Sequence, residues 1–346
     1  QAVLGRASLE YAAGHPRFPT LPPALTMKRS LSDAEAAARY PTSQEEVLRF
    51  DFSSMTEDIE AALAECRDLP LEELTRDSFP ASPRMRAQLR GAMQELQHGS
   101  GAVLMRLPPE WIEQQGEDQC QRAFFGLCSH LGKAVTQSTD LGEICARVED
   151  ARRPEVLAAR HTKRRGYRNA KEQFLHVDSS IPAARGAGVC DALAMLCVRP
   201  AGKGGVSKIA SAAAVHERLQ RHHPQLLERL ERGFKYDASV VEYHPDWRQP
   251  AKGDTERPMV YRDGSGRPCV QYAKNMLETI MPAYADSPEQ GEVLGALEKL
   301  EQVCSHPSLV QYWDVAKGEI YLLDNYRWLH ARTEFVDDAS APRLFF

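Results

Sequence analysis

The sequence lacks three features that mark common classes of protein. It has no apolar run long enough to cross a bilayer, no Cys-x-x-Cys pair among its eight cysteines, and no large excess of charge of one sign. The formal net charge is -5 and the isoelectric point is about 6.2. These absences argue against a membrane span, a zinc ribbon or redox dithiol, and a nucleic-acid partner. We therefore predict a cytoplasmic protein with free, buried thiols.

Two glycine-rich stretches also lack what a nucleotide site requires. The stretch 201–208, Ala-Gly-Lys-Gly-Gly-Val-Ser-Lys, does not end in the Gly-Lys-Ser/Thr of a phosphate loop. The Gly-Ser-Gly at 264–266 is followed by a strand-like stretch, whereas a dinucleotide fingerprint opens a helix. Both stretches are therefore predicted to be turns.

The remaining composition is that of an ordinary globular protein, with 346 residues of which 42% are hydrophobic and 26% are charged. Apolar periodicity and helix-start signals predict helices at 56–66 (with Thr56 as the cap), 82–97, 118–131, 211–219, 224–232 and 288–304. Strands are predicted at 102–107, at 191–198 and in a hairpin over 259–272.

Helices dominate the first part of the chain, and strands gather in the second. This order predicts an α+β, mainly β fold: a double-stranded β-helix (jelly roll) core with flanking helices. Residues 1–95 would form an N-terminal arm and helices packed on the core, and 96–346 the jelly-roll domain, in one structural unit. Between 137 and 172 periodicity disappears and charges accumulate, so this segment is predicted to be a lid; a solvated mobile loop is the alternative.

One short strand-like segment carries metal-ligating side chains. His176 and Asp178 are two residues apart, so a strand would direct both to the same face. His330 is the candidate third ligand, which would complete a two-histidine, one-carboxylate face that leaves the other side of the metal open. By itself His-x-Asp is a weak motif. Most other histidines, including His216 on a predicted helix surface, are interpreted as solvated.

Five segments, taken together and in order, resemble the taurine dioxygenase-like (TauD/TfdA) family of iron(II)- and 2-oxoglutarate-dependent oxygenases. They are 99–108, 124–132, 174–180, 196–208 and 317–333. The resemblance covers the chain from about residue 95 to its end. It implies that His176, Asp178 and His330 are the iron ligands, and that iron(II), 2-oxoglutarate and dioxygen are the cofactors.

The resemblance also implies how the cosubstrate is held. Arg343 lies where the family places the arginine that binds the distal carboxylate of 2-oxoglutarate, and Ser207 matches a hydroxyl residue that bonds the same group. Gln137 lies where related chains place a polar side chain near the cosubstrate. A surface arginine, a turn serine and a loop glutamine are the respective alternatives. The family often has a further arginine a few residues later, which would follow Phe346.

The implied reaction is oxidation, most simply hydroxylation, of an unactivated C–H bond, with release of succinate and CO2. We expect a small amino-acid-like or natural-product substrate; a sulfonate or aryloxy acid, or a non-catalytic cupin-like metal-binding module, is the alternative. The candidate substrate contacts are Ser179, Ser180, Tyr167, Arg168, Asn325 and Arg332. Asn325 could instead orient His330, and Arg332 could be an exterior strand charge. Besides this small-molecule substrate, the sequence is compatible with a homo-oligomer.

Overall fold

The computed structural model describes residues 2–5 (backbone only), 40–135, 144–150, 169–178, 190–236 and 255–346. The strands are β1 (Ala2–Gly5), β2 (Leu48–Asp51), β3 (Ala102–Arg106), β4 (Lys133–Ala134), β5 (Ala192–Arg199), β6 (Lys203–Gly204), β7 (Ser207–Ser211), β8 (Phe234–Tyr236), β9 (Thr255–Arg257), β10 (Val260–Arg262), β11 (Pro268–Val270), β12 (Gln311–Trp313), β13 (Glu319–Asp324), β14 (Trp328–Arg332), β15 (Phe335–Val336) and β16 (Leu344–Phe345). The α-helices are α1 (Thr56–Glu65), α2 (Pro83–His98), α3 (Pro109–Gln114), α4 (Glu117–Ser129), α5 (Ala212–His222), α6 (Pro224–Arg232), α7 (Leu277–Ile280) and α8 (Gln290–Cys304).

Two sheets organise the fold. The large sheet has the order β2-β3-β13-β5-β1-β4, with β16 also paired to β5. Its pairs are antiparallel except that β2 runs parallel to β3. The small sheet has the order β12-β7-β14 and is antiparallel throughout. Residue 176 extends the small sheet, because it forms an isolated bridge with residue 330.

The two sheets pack face to face through one apolar cluster. Cys197 of the large sheet lies in it with Ile209, Trp313 and Trp328 of the small sheet, and all four are essentially inaccessible to water. Such burial removes large apolar surfaces from solvent, which is the main favourable contribution to folding. The interior between the sheets is therefore where a buried site can form.

Strand β5 shows why the sequence here is continuously apolar instead of alternating. Leu193 and Met195 face the cluster between the sheets, whereas Ala194 and Leu196 face the helices on the other side. A strand covered on both faces has no solvent side, so it needs no polar positions. The predicted strand at 191–198 is confirmed.

Helices cover the outer faces of both sheets. Side chains of α1, α2 and α4 pack on the large sheet, and those of α5, α6 and α8 pack on the small sheet. The predicted helices are confirmed with small shifts of their ends. The solvated interpretation of His216 is wrong: it is buried in α5, and burial lowers the pKa of its imidazole to about 4.

Helix starts agree with the sequence in two of three cases. Ser82 and Ser211 accept hydrogen bonds from the backbone N–H groups of Met85 and Ala213, as N-cap residues do. The proposed cap at Thr56 is wrong, because Thr56 is already the first helical residue and the preceding Met55 makes no side-chain cap. All eight cysteines are buried and none forms a disulfide, as expected. Within the described residues, no helix is both long and apolar enough to span a membrane.

Gly126 in α4 provides a test of helix packing. A Cβ added at this position would overlap the ring of Phe79, which is fully buried, so one of the two must move. We expect Gly126→Ala to lower the free energy of unfolding by about 1–3 kcal/mol, measured by denaturant unfolding. The matched control is Gly295→Ala in α8, where the added methyl meets nothing and helix propensity should raise stability by about 0.4–1 kcal/mol. Equal effects in the two variants would contradict this account.

Candidate metal centre

The backbone brings His176 and His330 side by side. Each residue donates its N–H to the carbonyl of the other, at 3.0 and 2.9 Å, as a directly opposed antiparallel pair does. Their side chains therefore leave the sheet on the same face, and their ring centroids are 4.4 Å apart. Asp178, two residues further on, points the same way. Two segments far apart in sequence thus present three ligand groups at one place.

The three ligand atoms face a common point without bonding to one another. Nε2 of His176 is 3.8 Å, and Nε2 of His330 3.7 Å, from Oδ1 of Asp178. All three atoms lie within 4.8 Å of one another. A hydrogen-bonded histidine–carboxylate pair would be about 2.7–3.0 Å apart. The separations seen here suit a shared cation better than direct hydrogen bonds.

The hydrogen bond of one imidazole and the burial of the other suit a metal. Nδ1 of His176 lies 2.8 Å from the carbonyl oxygen of Phe174, so Nδ1 is the donor and Nε2 is turned toward the site. His330 is buried, and burial lowers the pKa of its ring to about 3, so the ring is neutral near pH 7. Neutral histidines do not have to release a proton before they bind an ion.

Asn325 holds the carboxylate ligand through its backbone. Its Oδ1 accepts the N–H of Asp178 at 2.9 Å, and its Nδ2 donates to the carbonyl of Asp178 at 2.9 Å and to that of Cys190 at 3.0 Å. The side chain is almost completely buried. Its contacts are thus with the backbone around the carboxylate, whereas the sequence suggested the ring of His330 or the substrate.

We expect Asn325→Ala to weaken iron(II) binding about 10- to 100-fold, because residues that orient metal ligands have effects of this size. Loss of the amide frees the backbone on both sides of Asp178, so the carboxylate is no longer fixed toward the histidines. Anaerobic titration with iron(II), followed by calorimetry, measures the effect. Asn325→Asp is the matched comparison: it keeps the acceptor for the N–H of Asp178 but loses both donated bonds. If both variants bound iron as the wild type does, this role would be wrong.

The three ligands lie in a cavity of about 440 Å³. It is lined by Val148, Asn169, Lys171, Glu172, Gln173, Phe174, His176, Asp178, Met195, Ser207, Ala273, Lys274, Tyr321, His330, Ala331, Arg332 and Arg343. A more open groove of about 840 Å³ lies beside α2 but is away from these ligands. Within the described residues, only His176, Asp178 and His330 form a group of at least three potential ligands close enough to share an ion. The donor groups, and not the volume, identify the site.

Two arginines line the same cavity, and both are interior. Arg343 is 2% exposed, so the surface alternative is wrong; its guanidinium lies 4.0 Å from the ring centroid of Phe345. Arg332 is 4% exposed, so it is not an exterior strand charge. Burial lowers the pKa of Arg343 to about 10 and that of Arg332 to about 9, and the charge of Arg343 adds to the second shift. A guanidinium still remains charged at neutral pH.

Two residues with hydroxyl groups also line this cavity. Ser207 is buried in β7, and Tyr321 is buried in β13 with its OH 2.7 Å from Sδ of Met195. Burial raises the pKa of the Tyr321 phenol to about 12, so it stays protonated. Tyr321 and Met195 were not predicted as site residues. Strand alternation could have identified them, because both face inward in register with each other.

Several predicted site residues lie outside the described part of the chain. They are Gln137, Tyr167, Arg168, Ser179 and Ser180. Of the predicted lid, only 144–150 and 169–172 are described. In the first of these, Val148 forms a backbone bridge with Phe345, and in the second, Glu172 forms an ion pair with Lys208. The lid remains a prediction.

Comparison with known proteins gives the family. A family model described as "Taurine catabolism dioxygenase TauD, TfdA family" matches residues 67–346. The chain belongs to the TauD/TfdA family. The match begins upstream of the motifs that suggested it, so it includes α2 and α4, which cover the large sheet, but not α1. The chain is an iron(II)- and 2-oxoglutarate-dependent oxygenase, with iron(II), 2-oxoglutarate and dioxygen as cofactors.

Individual relatives are distant. FR-33289 synthase of Streptomyces rubellomurinus is 23% identical over 271 residues, which are 78% of this chain and 73% of the relative. A solved structure of asparagine oxygenase with Fe(II), 2S,3S-3-hydroxyasparagine and succinate superposes with a TM-score of 0.56 at 16% identity, covering 86% of this chain and 92% of the other. The non-heme iron oxygenase OrfP with Fe and alpha-ketoglutaric acid gives 0.54 at 12% identity, covering 87% and 92%. These similarities show a shared fold with mixed helices and sheets.

Proposed function

We propose that this enzyme hydroxylates an unactivated C–H bond of a small amino-acid-like substrate, with release of succinate and CO2. The observation that carries the proposal is one cavity that contains both a His176–Asp178–His330 ligand set and two buried guanidinium groups. The first suits a ferrous ion, and the second suits the far carboxylate of a keto-diacid. The chemistry of a zinc hydrolase or of a metal-storage module does not require two buried guanidinium groups beside the metal.

We infer that the two sheets are the halves of a double-stranded β-helix. Their apolar inner faces pack on each other, and their outer faces are covered by helices. The ligands come from the small sheet and the segment paired to it, so the metal would lie inside the barrel near one end. Residues 1–95 would then support the outer wall of the barrel.

The residues present fit an iron ion. Two neutral imidazoles and one carboxylate leave coordination positions free for a chelating cosubstrate and dioxygen. Bound iron would supply the activation of dioxygen that is coupled to decarboxylation of the cosubstrate. The protein contributes orientation: the carbonyl of Phe174 fixes the ring of His176, and Asn325 fixes the backbone of Asp178.

Arg343 and Ser207 are proposed to hold the distal carboxylate of 2-oxoglutarate. Arg343 donates one N–H to the carbonyl of Val148 at 3.2 Å, and its Nε has no partner among the described residues. A buried cation without a counter-ion is costly, and a carboxylate bound in the cavity would relieve that cost. Ser207 offers a neutral hydroxyl to the same group.

The amino-acid-like substrate class has two supports. Structures similar to this one are described with hydroxyasparagine and with (3S)-hydroxy-L-Arg. The cavity also carries charges of both signs near Phe174. Glu172 lines it and is paired with Lys208, and Lys274 is paired with Glu301 and has its Nζ 3.7 Å from the centroid of the half-exposed Phe174 ring. A substrate with groups of both charges can interact with both signs, whereas an aryloxy acid can interact only with the cations.

The test is a substrate screen under air with iron(II) and 2-oxoglutarate. The panel contains free amino acids, sulfonates and aryloxy acids, and succinate release above the substrate-free background is measured with product mass. We expect an amino acid or close analogue to gain one oxygen with equal succinate. Coupled turnover only with a sulfonate or aryloxy acid would overturn the substrate class. If iron(II) and 2-oxoglutarate gave no visible charge-transfer band under anaerobic conditions, the cupin-like binding module would replace the oxygenase.

A further inference from the structure

Arg332 occupies a position in β14 that faces the ligands. Successive strand residues point to opposite faces, and Leu329 and Ala331 pack among the helices that cover the small sheet. His330 and Arg332 therefore both point into the cavity. In the pairing of β14 with β7, Arg332 lies directly opposite Ser207. Side chains of directly opposed residues on one face are neighbours, so the side chain of Arg332 leaves the backbone beside the Ser207 hydroxyl.

The guanidinium of Arg332 is only partly bonded. Its Nη2 donates to the carbonyls of Asn169 and Lys171, at 2.7 and 2.9 Å. Its Nε and Nη1 are buried and have no hydrogen-bond partner in the described part of the chain. Among those residues, no carboxylate lies within 4.0 Å of this guanidinium either. Buried N–H groups of a cation are normally satisfied, so their condition here indicates a missing anion.

Arg343 lies nearby, and its guanidinium is also buried and only partly hydrogen-bonded. The guanidinium carbons of Arg332 and Arg343 lie 4.4 and 5.2 Å from the centroid of the same Phe335 ring. Two like charges beside one ring repel each other, and an anion bound between them would be attracted to both and would offset much of this repulsion. The geometry therefore describes a site with two guanidinium groups and a serine hydroxyl, in which no carboxylate of the described residues forms an ion pair with either guanidinium.

We propose that Arg332 is a second cosubstrate-binding residue, which shares the distal carboxylate of 2-oxoglutarate with Arg343 and Ser207. The inference rests on the proposed function and adds a residue to it. Through Nη2 the same side chain fixes the backbone at 169–171, which leads into the strand of His176. Cosubstrate binding would thus also hold the wall of the cavity beside the metal.

The test compares two keto acids that differ at the far end. 2-Oxoglutarate has the distal carboxylate and 2-oxobutanoate does not, whereas both present the same 2-oxo acid group to iron. Binding to the iron(II)-loaded protein is measured anaerobically from the visible charge-transfer band, for the wild type, Arg332→Gln and Arg332→Lys. We expect Arg332→Gln to weaken 2-oxoglutarate about 10- to 100-fold and to leave 2-oxobutanoate within about twofold. Arg332→Lys keeps the positive charge but cannot donate two parallel hydrogen bonds to one carboxylate, so its affinity for 2-oxoglutarate should fall by less than that of Arg332→Gln.

Arg122→Gln is the matched control. Arg122 is also buried and also donates to a backbone carbonyl, that of Cys66, but it does not line the cavity. It should leave the preference for 2-oxoglutarate over 2-oxobutanoate unchanged. Equal losses for both keto acids in the Arg332 variants, or no loss, would overturn the role of Arg332 alone. If the wild type failed to bind 2-oxoglutarate, the proposed function itself would fall, and this inference with it. If Arg332→Gln does not fold, Arg332→Lys decides by the same comparison.

Discussion

Replacing His176 by alanine is expected to abolish turnover and the anaerobic charge-transfer band together. His176 supplies one of the three proposed protein ligands, and its ring is held with Nε2 toward the site by the bond between Nδ1 and the carbonyl of Phe174. Two remaining ligands hold a divalent ion weakly, so iron(II) affinity should fall by at least about 100-fold. Anaerobic iron(II) titration with 2-oxoglutarate present measures both quantities.

The control for this variant is His222→Ala, since His222 is exposed at the end of α5. It should retain the band, the iron stoichiometry and the turnover of the wild type. A second control is thermal unfolding of His176→Ala without iron. The side chain is partly exposed, so the melting temperature should change little. If His176→Ala bound iron normally and kept its band, the proposed ligand set would be wrong.

Strand alternation made the clustering of two of the three potential ligands, His176 and Asp178, predictable. His176 and Asp178 form an i, i+2 pair that only an extended backbone directs to one point, and the apolar residues on either side of His330 mark a strand. What alternation alone could not supply was the pairing between the two segments. The ordered family motifs supplied it, and the backbone bridge between residues 176 and 330 shows it directly.

Local sequence patterns failed for side chains whose position depends on a contact with a residue distant in sequence. Asn325 was assigned to the ring of His330 or to substrate because it is near His330 in sequence, but its bonds go to the backbone of Asp178. His216 was interpreted as solvated because it lies on a predicted helix surface, yet β10 and α6 cover it: Arg262 and Glu231 lie 3.4 and 3.7 Å from its ring. Such contacts depend on tertiary packing, which local periodicity does not encode.

The interior position of Arg332 could have been predicted from the sequence. Because Arg332 is two residues from His330 in one strand, the two must share a face if the strand is regular. A charge at that position can be tolerated only if the cavity supplies an anion or bound polar groups. The alternative of an exterior charge required Leu329 and Ala331 to face inward and His330 outward, which contradicts its proposed role as a ligand.

The second large effect is expected for Arg343→Met, which should raise the dissociation constant of 2-oxoglutarate about 100-fold or more. A charge-assisted, forked pair with a buried carboxylate is among the stronger interactions in proteins, and methionine keeps the bulk of the stem without the charge. The affinity for 2-oxobutanoate, which has no distal carboxylate, should change much less. Anaerobic titration of the iron(II)-loaded variant with each keto acid measures the difference.

Stability distinguishes this role from a structural one. Burial lowers the pKa of Arg343 to about 10, well below its usual range, so without the cosubstrate the charged form is less favourable in the folded state than in the unfolded chain. Removing the charge relieves this cost, although the carbonyl of Val148 loses its donor. The net change in unfolding free energy without ligand should therefore stay within about 2 kcal/mol. Arg122→Met, which removes a buried guanidinium bonded to the carbonyl of Cys66 outside the cavity, should instead leave 2-oxoglutarate binding intact. An Arg343→Met protein that lost several kcal/mol but bound 2-oxoglutarate normally would show that this guanidinium supports the fold and not the cosubstrate.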